Sequence, residues 1–183
     1  MRNIGKEVLF LPTNEQNPRN GEGGMLRLRD GRILYAYTQY YGDDWQDDAT
    51  ARVAAYYSDD EGESWYDGGI LMEKGEQDRN LMSISLIRMA NGDLGILYLR
   101  KFMQGDALLC VPYLLRSADE GKTFGAPIRC ISKDGYFCVN NDRILRLSNG
   151  RLIFPAADHG TDGNHARAGK IFTCYSDDDG FTW

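Results

Sequence analysis

Carboxylates crowd one short stretch of the sequence. Asp43, Asp44, Asp47 and Asp48 lie within a single six-residue window, where repulsion between like charges favours the protonated form of one of them. A general acid needs that form in order to protonate a leaving group. The ligand order that defines an EF-hand, with its fixed glycine and terminal glutamate, is missing. Two interpretations follow: an acid at Asp47 or Asp48, or a solvated acidic loop.

An arginine and a glutamate stand close together near the beginning of the chain. The planar guanidinium of Arg19 suits bidentate binding of a carboxylate, such as that of an acidic sugar. A surface arginine is the alternative. Glu22 lies between two glycines, so a ligand can approach it closely. We interpret Glu22 as a catalytic base or as a partner of Arg19.

Further polar and aromatic residues are predicted to bind the same ligand. They are Trp45, Asn80, Arg100, Asn140, Asn141, Asp142, Arg143 and His159. Trp45 suits stacking on a sugar ring or covering the edge of the core, and Arg143 is alternatively a cap at the start of a strand. His159 begins a His-x-x-Asp-x-x-His pattern with Asp162 and His165. On a glycine-rich loop that spacing has no fixed geometry, so we predict no metal.

An eight-residue segment recurs at a constant interval. It occupies residues 58–65, 117–124 and 176–183, so successive copies are 59 residues apart. Each copy contains a serine and an aspartate that can bind turn amides, a glycine that permits positive φ, and a final Trp or Phe that packs between strands. One active site would not need three copies, so we predict a structural role for this segment.

A second repeated unit precedes each eight-residue segment. Residues 26–34, 87–95 and 145–153 place Asp-Gly or Asn-Gly between short apolar runs, which is typical of tight β-hairpins. Further β-rich runs complete each repeat, and no window has sustained helical periodicity. This spacing predicts an all-β fold, a β-propeller of four-stranded antiparallel blades. One partial propeller domain then covers residues 1–183, with blades at about 19–75, 78–135 and 139–183.

The alternation of strands assigns the candidate residues to one side of this fold. In each repeat the hairpin turn and the eight-residue segment lie at one rim. The connections before the first strand and between the second and third strands therefore lie at the other rim, where binding groups concentrate. These connections include residues 18–23, 42–48, 78–82, 100–106, 139–143 and 158–165. By contrast, Arg27, Arg88 and Arg146 recur at one repeat position, so we predict that they are structural.

The bulk composition limits the partners and the compartment. A net charge of -6 and a pI of about 4.9 argue against nucleic acid and anionic membranes. The sequence has no apolar run long enough for a membrane helix and no secretory signal pattern, so the cytoplasm is the expected location. Cys110, Cys130, Cys138 and Cys174 lack metal-ligand spacing, and we predict reduced, buried thiols.

The eight-residue segment resembles the Asp box, or BNR repeat, of the sialidase (neuraminidase) superfamily. The similarity extends over residues 19–183. It implies a six-bladed propeller, of which this chain would supply three blades and would stop inside the third Asp box. The resemblance also suggests that the β-prone residues 7–11 supply the outer strand of the last blade and so close the ring.

The same resemblance implies a retaining exo-α-sialidase, which removes terminal sialic acid or a related acidic sugar with a tyrosine nucleophile and no metal or cofactor. Arg19 stands where the first arginine of the family's carboxylate-binding triad would stand. The family pattern there is Arg-Ile-Pro, whereas this chain has Gly21 two positions after Arg19. Asp47 and Asp48 lie 11 and 10 residues before Ser58, near the position of the family's general acid.

The family's nucleophile and remaining arginines belong to later blades. We therefore expect residues 1–183 alone to be inactive and to self-associate through uncovered faces. The alternative is a non-catalytic Asp-box propeller that binds glycans or proteins. A third interpretation is a hydrolase for another acidic sugar, to which the altered arginine motif would be adapted.

Overall fold

β-Strands account for all the regular secondary structure in the computed structural model, which describes residues 5–161 and 168–183. We group them into units 1 to 3. Unit 1 comprises β1 (Asn20–Arg27), β2 (Ile33–Tyr40), β3 (Ala51–Ser58) and β4 (Tyr66–Met72). Unit 2 comprises β5 (Asp78–Arg88), β6 (Leu94–Gln104), β7 (Ala107–Ser117) and β8 (Ile128–Arg129). Unit 3 comprises β9 (Phe137–Cys138), β10 (Leu145–Arg146), β11 (Leu152–Asp158) and β12 (Lys170–Ser176).

This architecture confirms the all-β prediction for the described residues. Nowhere in those two ranges is there a helix with the length and apolar character needed to cross a membrane. Within units 1 and 2 consecutive strands pair antiparallel. A single parallel bridge between Ala51 and Asn80 joins the two units. In unit 3, β9 and β10 pair with opposite ends of β11 and so act as two parts of one strand.

The repeated hairpins turn through glycines in the left-handed region. Gly31, Gly92 and Gly150 have φ values of 94°, 91° and 89°, which side chains rarely tolerate. Each glycine lies between the first and second strand of its unit. The Asp-Gly and Asn-Gly pairs therefore define the strand register, as the sequence predicted.

The eight-residue turns form one hydrogen-bond pattern three times. In unit 2, Ser117 Oγ donates to Asp119 Oδ1 at 2.8 Å and accepts the Gly121 N–H at 2.7 Å. Thr123 donates its N–H to Asp119 Oδ1 at 2.8 Å and its hydroxyl to Oδ2 at 2.7 Å. Units 1 and 3 repeat these bonds around Asp60 and Asp178. Both carboxylate oxygens are engaged, which supports the structural role.

Acid should weaken all three turns together. The pKa values of Asp60, Asp119 and Asp178 fall to about 2, chiefly because the Ser or Thr hydroxyl donates to the carboxylate, with help from the backbone N–H of the same residue. Because these pKa values are depressed by folding, their stabilisation is present above the ordinary value of 3.8 and is lost as the pH falls towards 2. We expect the urea midpoint to fall steeply between about pH 4 and pH 2.5, and less steeply in Asp119→Asn. A constant midpoint would contradict this assignment.

The units pack against one another through apolar faces. Leu34 and Val53 of unit 1, Ile96 and Leu114 of unit 2, and Phe154 of unit 3 are fully buried members of one core. Full burial of such a side chain stabilises the fold by about 1.5–3 kcal/mol. Strand β5 contacts β1, β2 and β3 of unit 1. These contacts fix the position of unit 2 relative to the acidic loop of unit 1.

Two segments differ from the sequence-based expectation. The predicted connection at residues 100–106 is mostly strand, because β6 continues to Gln104, which pairs with Ala107 across a two-residue turn. Residues 7–11 form no strand; several of them lie over the outer face of unit 1 and, with Met25, Tyr35 and Trp65, line a cavity of about 390 Å³.

The cysteines only partly follow the prediction. All four are free thiols; Cys110 and Cys130 are buried, Cys174 is half-buried, and Cys138 is exposed. The predicted burial of Cys138 is therefore wrong, because this residue lies on the short edge strand β9, which pairs with β11. Burial raises the pKa of Cys110 to about 12 and that of Cys174 to about 11, which keeps both thiols protonated at neutral pH.

Candidate functional site

Arg19 lies just before β1 and is held by the acidic loop between β2 and β3. Its Nη1 donates to Asp47 Oδ1 at 2.7 Å and to the Trp45 carbonyl at 3.2 Å. The guanidinium also lies over the Tyr40 ring, 4.6 Å from the ring centroid. Burial lowers the pKa of Arg19, but the Asp47 hydrogen bond and the nearby negative charges raise it above its ordinary value. Arg19 is therefore a fixed cation with 35% of its side chain exposed.

Two buried side chains hold the backbone of the acidic loop. Asn80 is fully buried, and its Nδ2 donates to the carbonyls of Asp47 at 2.9 Å and Ala49 at 2.8 Å. Lys101 is 2% exposed and donates to the same Asp47 carbonyl at 2.6 Å. Its ammonium lies 5.5 Å from the centroid of the Tyr136 ring. Buried donors of this kind need their acceptors, so they fix the position of Asp47.

The ring of Tyr40 packs against the guanidinium of Arg19. Its side chain is fully buried, and its hydroxyl makes no hydrogen bond with any described residue. Burial raises the pKa of Tyr40 to about 12; Arg19 opposes this shift, while Asp47, Glu22 and Asp48 reinforce it. All four charged groups are therefore close enough to the phenol for their charges to act on its pKa. The phenol stays protonated at neutral pH, which argues against Tyr40 as a nucleophile.

Glu22 and Asn141 connect unit 1 with the start of unit 3. Asn141 Nδ2 donates to Glu22 Oε2 at 3.4 Å, and Asn141 Oδ1 accepts the Ile84 N–H at 2.9 Å. Asp142 has a φ of 54° and donates its N–H to the Ile84 carbonyl at 3.0 Å. The segment is thus anchored on β5 and points Asn141 towards Glu22. Glu22 in turn helps to raise the pKa of Arg19 through its charge.

Asp48 has different surroundings from its neighbour Asp47. Asp43, Asp44 and Asp48 line a shallow cavity of about 270 Å³, together with Arg79. Asp47 instead forms the ion pair with Arg19, and an ion pair stabilises the carboxylate over the carboxylic acid. Of the two aspartates, Asp48 is therefore the better candidate for a proton donor.

The remaining candidates have other surroundings, although the Trp45 carbonyl accepts a hydrogen bond from Arg19. Arg100 donates to the buried Asp78 at 2.7 Å and lies against the Phe102 ring. Asn140 and Arg143 line a small cavity of about 180 Å³ beside β11 and β12. His159 lies at the end of β11, with its ring 6.4 Å from that of Tyr136. Trp45 has 65% of its surface exposed. Their proposed roles in binding remain predictions.

Sequence reasoning missed Lys101 and Tyr40 as parts of this site. No local pattern distinguishes Lys101, which falls in the connection predicted at residues 100–106 and which the structure places in β6. Tyr40 ends β2 immediately before the acidic loop, a position that could have indicated contact with Arg19.

No metal site emerges from the part of the chain that the structure describes. Within residues 5–161 and 168–183, no group of three or more His, Cys, Asp or Glu side chains could hold a metal ion. Asp162 and His165, which complete the pattern that begins at His159, lie outside those ranges.

Solved structures share this fold at low sequence identity. The NanB sialidase of Streptococcus pneumoniae matches 97% of the chain, with a TM-score of 0.66 and 12% identity. The intramolecular trans-sialidase of Ruminococcus gnavus matches 100% of it, also with a TM-score of 0.66 and 12% identity. A thermostable family-43 glycoside hydrolase matches 86% of it, with a TM-score of 0.62 and 11% identity. No protein-family model matches the sequence, and no curated protein matches it.

These comparisons define a class by fold alone: the chain has the fold of sialidases and related glycoside hydrolases. It spans 45% of the NanB chain, 51% of the family-43 enzyme and 63% of the trans-sialidase. At such low sequence identities, the structural similarity supports a shared architecture but not a shared chemistry.

Proposed function

We propose that this chain supplies half of the active site of a sialidase-like glycoside hydrolase, built on a six-bladed propeller of four-stranded blades. The shared fold supports the architecture. One observation carries the function: a fixed, partly exposed Arg19 pairs with Asp47 and lies within electrostatic range of Glu22. An arginine held in this way is preorganised to bind an anionic ligand.

In this proposal Arg19 binds the carboxylate of a terminal sialic acid or a related acidic sugar. Asp47 and the Tyr40 ring hold the guanidinium in place before the ligand arrives. Asn80 and Lys101 hold Asp47 in turn through its carbonyl. Positioning of this kind lowers the entropic cost of binding.

Asp48 protonates the departing glycosidic oxygen in this scheme. It lies in the same loop as Asp47 but lines a cavity with Asp43, Asp44 and Arg79, whereas Asp47 pairs with Arg19. Trp45 is exposed enough to stack on a sugar ring, and Asn141 is placed to hydrogen-bond a hydroxyl. The nucleophile that attacks the anomeric carbon belongs to blades outside this chain, so we expect residues 1–183 alone not to hydrolyse an aryl sialoside.

Binding tests the proposal directly. The chain should bind 3′-sialyllactose more tightly than lactose in calorimetry or ligand-observed NMR, because only the former offers a carboxylate. Arg19→Ala should weaken sialyllactose binding by about tenfold or more, or ~1.4 kcal/mol for each factor of ten. The matched control is Arg151→Ala, which removes an arginine paired with Asp177 at the opposite rim. Equal affinity for the two sugars in the unaltered chain would contradict the proposal.

A non-catalytic glycan-binding propeller is the second candidate. The observation that favours it is that Asp47 already occupies one edge of the Arg19 guanidinium, which is an arrangement suited to weak, reversible binding. In a longer version that completes the ring, sialyllactose binding without any turnover of an aryl sialoside would identify this function.

A further inference from the structure

A β-bulge interrupts the first strand of unit 1 and the first strand of unit 2. In β1, Gly21 and Glu22 face a single residue of β2. In β5, Ser83 and Ile84 face a single residue of β6. A bulge changes the direction of the side chains that it contains, and bulges are frequent beside active sites. These residues therefore deserve comparison between the units.

The repeat places three polar residues at one equivalent position. Glu22, Ser83 and Asn141 each lie nine residues before the hairpin glycine of their unit. We call them the bulge group. Two of its members already contact each other across units 1 and 3, because Asn141 Nδ2 donates to Glu22 Oε2 at 3.4 Å. Ser83 is the member from unit 2, the unit between them.

The segments that carry the bulge group pack directly on one another. The Ile84 N–H donates to Asn141 Oδ1 at 2.9 Å, and the Ile84 carbonyl accepts the Asp142 N–H at 3.0 Å. On the side of unit 1, a Cβ on Gly24 would lie 3.4 Å from the Ile84 carbonyl oxygen and 3.4 Å from Asp142 Oδ1. Because Ser83 directly precedes Ile84, it lies where units 1 and 3 meet unit 2.

The backbone and the hydroxyl of Ser83 are both unusual. Its φ of 58° lies in the left-handed region, which a serine rarely adopts. Only 8% of Ser83 is exposed, yet its hydroxyl forms no hydrogen bond with any residue that the structure describes. By contrast, Ser85 is fully buried, and its Oγ accepts the Arg143 N–H at 2.9 Å. Strained backbone and unpaired buried polar groups are both concentrated at functional sites.

The bulge group combines complementary hydrogen-bonding types. The Glu22 carboxylate only accepts, the Asn141 Nδ2 group only donates, and the Ser83 hydroxyl can do both. Each hydroxyl of a sugar is itself a donor and an acceptor, so this set of groups suits neutral sugar hydroxyls. Glu22 also acts on the pKa of Arg19 through its charge, which places the bulge group within electrostatic range of the guanidinium.

We infer that Ser83 is a further ligand-binding residue. Its hydroxyl binds neutral hydroxyl groups of the acidic sugar together with Glu22 and Asn141, while Arg19 binds the carboxylate. The positive φ at the bulge keeps the Ser83 side chain in place before the ligand arrives, which lowers the entropic cost of binding. This inference rests on the proposed function, because the ligand is the same acidic sugar.

Two substitutions of Ser83 separate the hydroxyl from the backbone. Ser83→Ala and Ser83→Gly both remove the hydroxyl, but only glycine adopts a positive φ without strain. Both variants should bind 3′-sialyllactose about three- to tenfold more weakly in calorimetry, as expected for one lost hydrogen bond. The urea midpoint should nevertheless be higher in Ser83→Gly than in Ser83→Ala. Ser132→Ala is the matched control, at an exposed serine outside the bulge group, and should change neither quantity.

The outcomes distinguish this inference from the proposed function. If both Ser83 variants kept full affinity while Arg19→Ala lost it, the role of Ser83 would be overturned and the proposed function would stand. Affinities that followed the urea midpoints, with Ser83→Gly binding as tightly as the unaltered chain, would also overturn it. If Ser83→Ala did not fold, Ser83→Gly alone would decide. Equal binding of sialyllactose and lactose by the unaltered chain would contradict the proposed function, and this inference with it.

Discussion

Replacement of Phe154 by alanine is expected to lower the free energy of unfolding by about 3–5 kcal/mol. Phe154 lies on β11 with 0% of its surface exposed, and its ring centroid is 5.1 Å from that of Trp183. Removal of the ring leaves a cavity that a β-strand, hydrogen-bonded on both sides, cannot readily collapse to fill. Urea unfolding followed by tryptophan fluorescence gives the measurement.

Tyr35 provides the matched control for this prediction. It occupies in β2 the position that Phe154 occupies in β11, four residues after the hairpin glycine, but it lies on the outer face of unit 1. Its ring packs on Trp65, with centroids 6.3 Å apart, and remains partly exposed. Tyr35→Ala should therefore cost less than half as much as Phe154→Ala. Equal losses would mean that the outer face of unit 1 is as well packed as the junction between units 2 and 3.

The same comparison shows what could be predicted from the sequence. The hairpins and eight-residue turns depend on local chemistry, such as a positive φ at Gly92 or the bonds to Asp119, so their positions could be read from residue types. The burial of the aromatic residue that ends each eight-residue turn could not be predicted, because it depends on whether another unit packs against that turn. Phe124 packs against the core, whereas its equivalent Trp65 faces outwards with Tyr35.

The candidate site was predictable only in part, for a similar reason. Strand alternation placed Arg19 and Asp47 at one rim, and the structure brings them into contact. The choice between Asp47 and Asp48 was not accessible, because adjacent residues in a loop have no fixed direction. The role of Lys101 could not be predicted either, because a lysine at the end of an apolar strand is buried only if another segment covers it. Here the Asp47 carbonyl and the Tyr136 ring do so.

Asn80→Ala should have the second large effect, on stability and on ligand binding together. The variant removes the donor that serves two carbonyls, those of Asp47 and Ala49. Because Asn80 and Ala49 are buried, water cannot freely replace that donor. Each carbonyl left without a partner costs about 1–3 kcal/mol. We therefore expect the free energy of unfolding to fall by about 2–4 kcal/mol. The hydrogen bond that Lys101 still donates to the Asp47 carbonyl reduces this loss.

Binding should fall with stability, because Asp47 positions Arg19. In the Asn80→Ala variant the acidic loop loses its anchor to β5, so sialyllactose affinity of the folded protein should drop by about tenfold, close to the effect of Arg19→Ala. The control for stability is Asn140→Ala, the same substitution at an exposed position, which should change the free energy of unfolding by less than about 0.5 kcal/mol. Chemical denaturation and calorimetry on both variants measure the two effects separately.

If Asn80→Ala lost stability but kept full affinity, the loop would not need this anchor to hold Arg19. The Asp47 side chain and the Tyr40 ring would then be sufficient to orient the guanidinium.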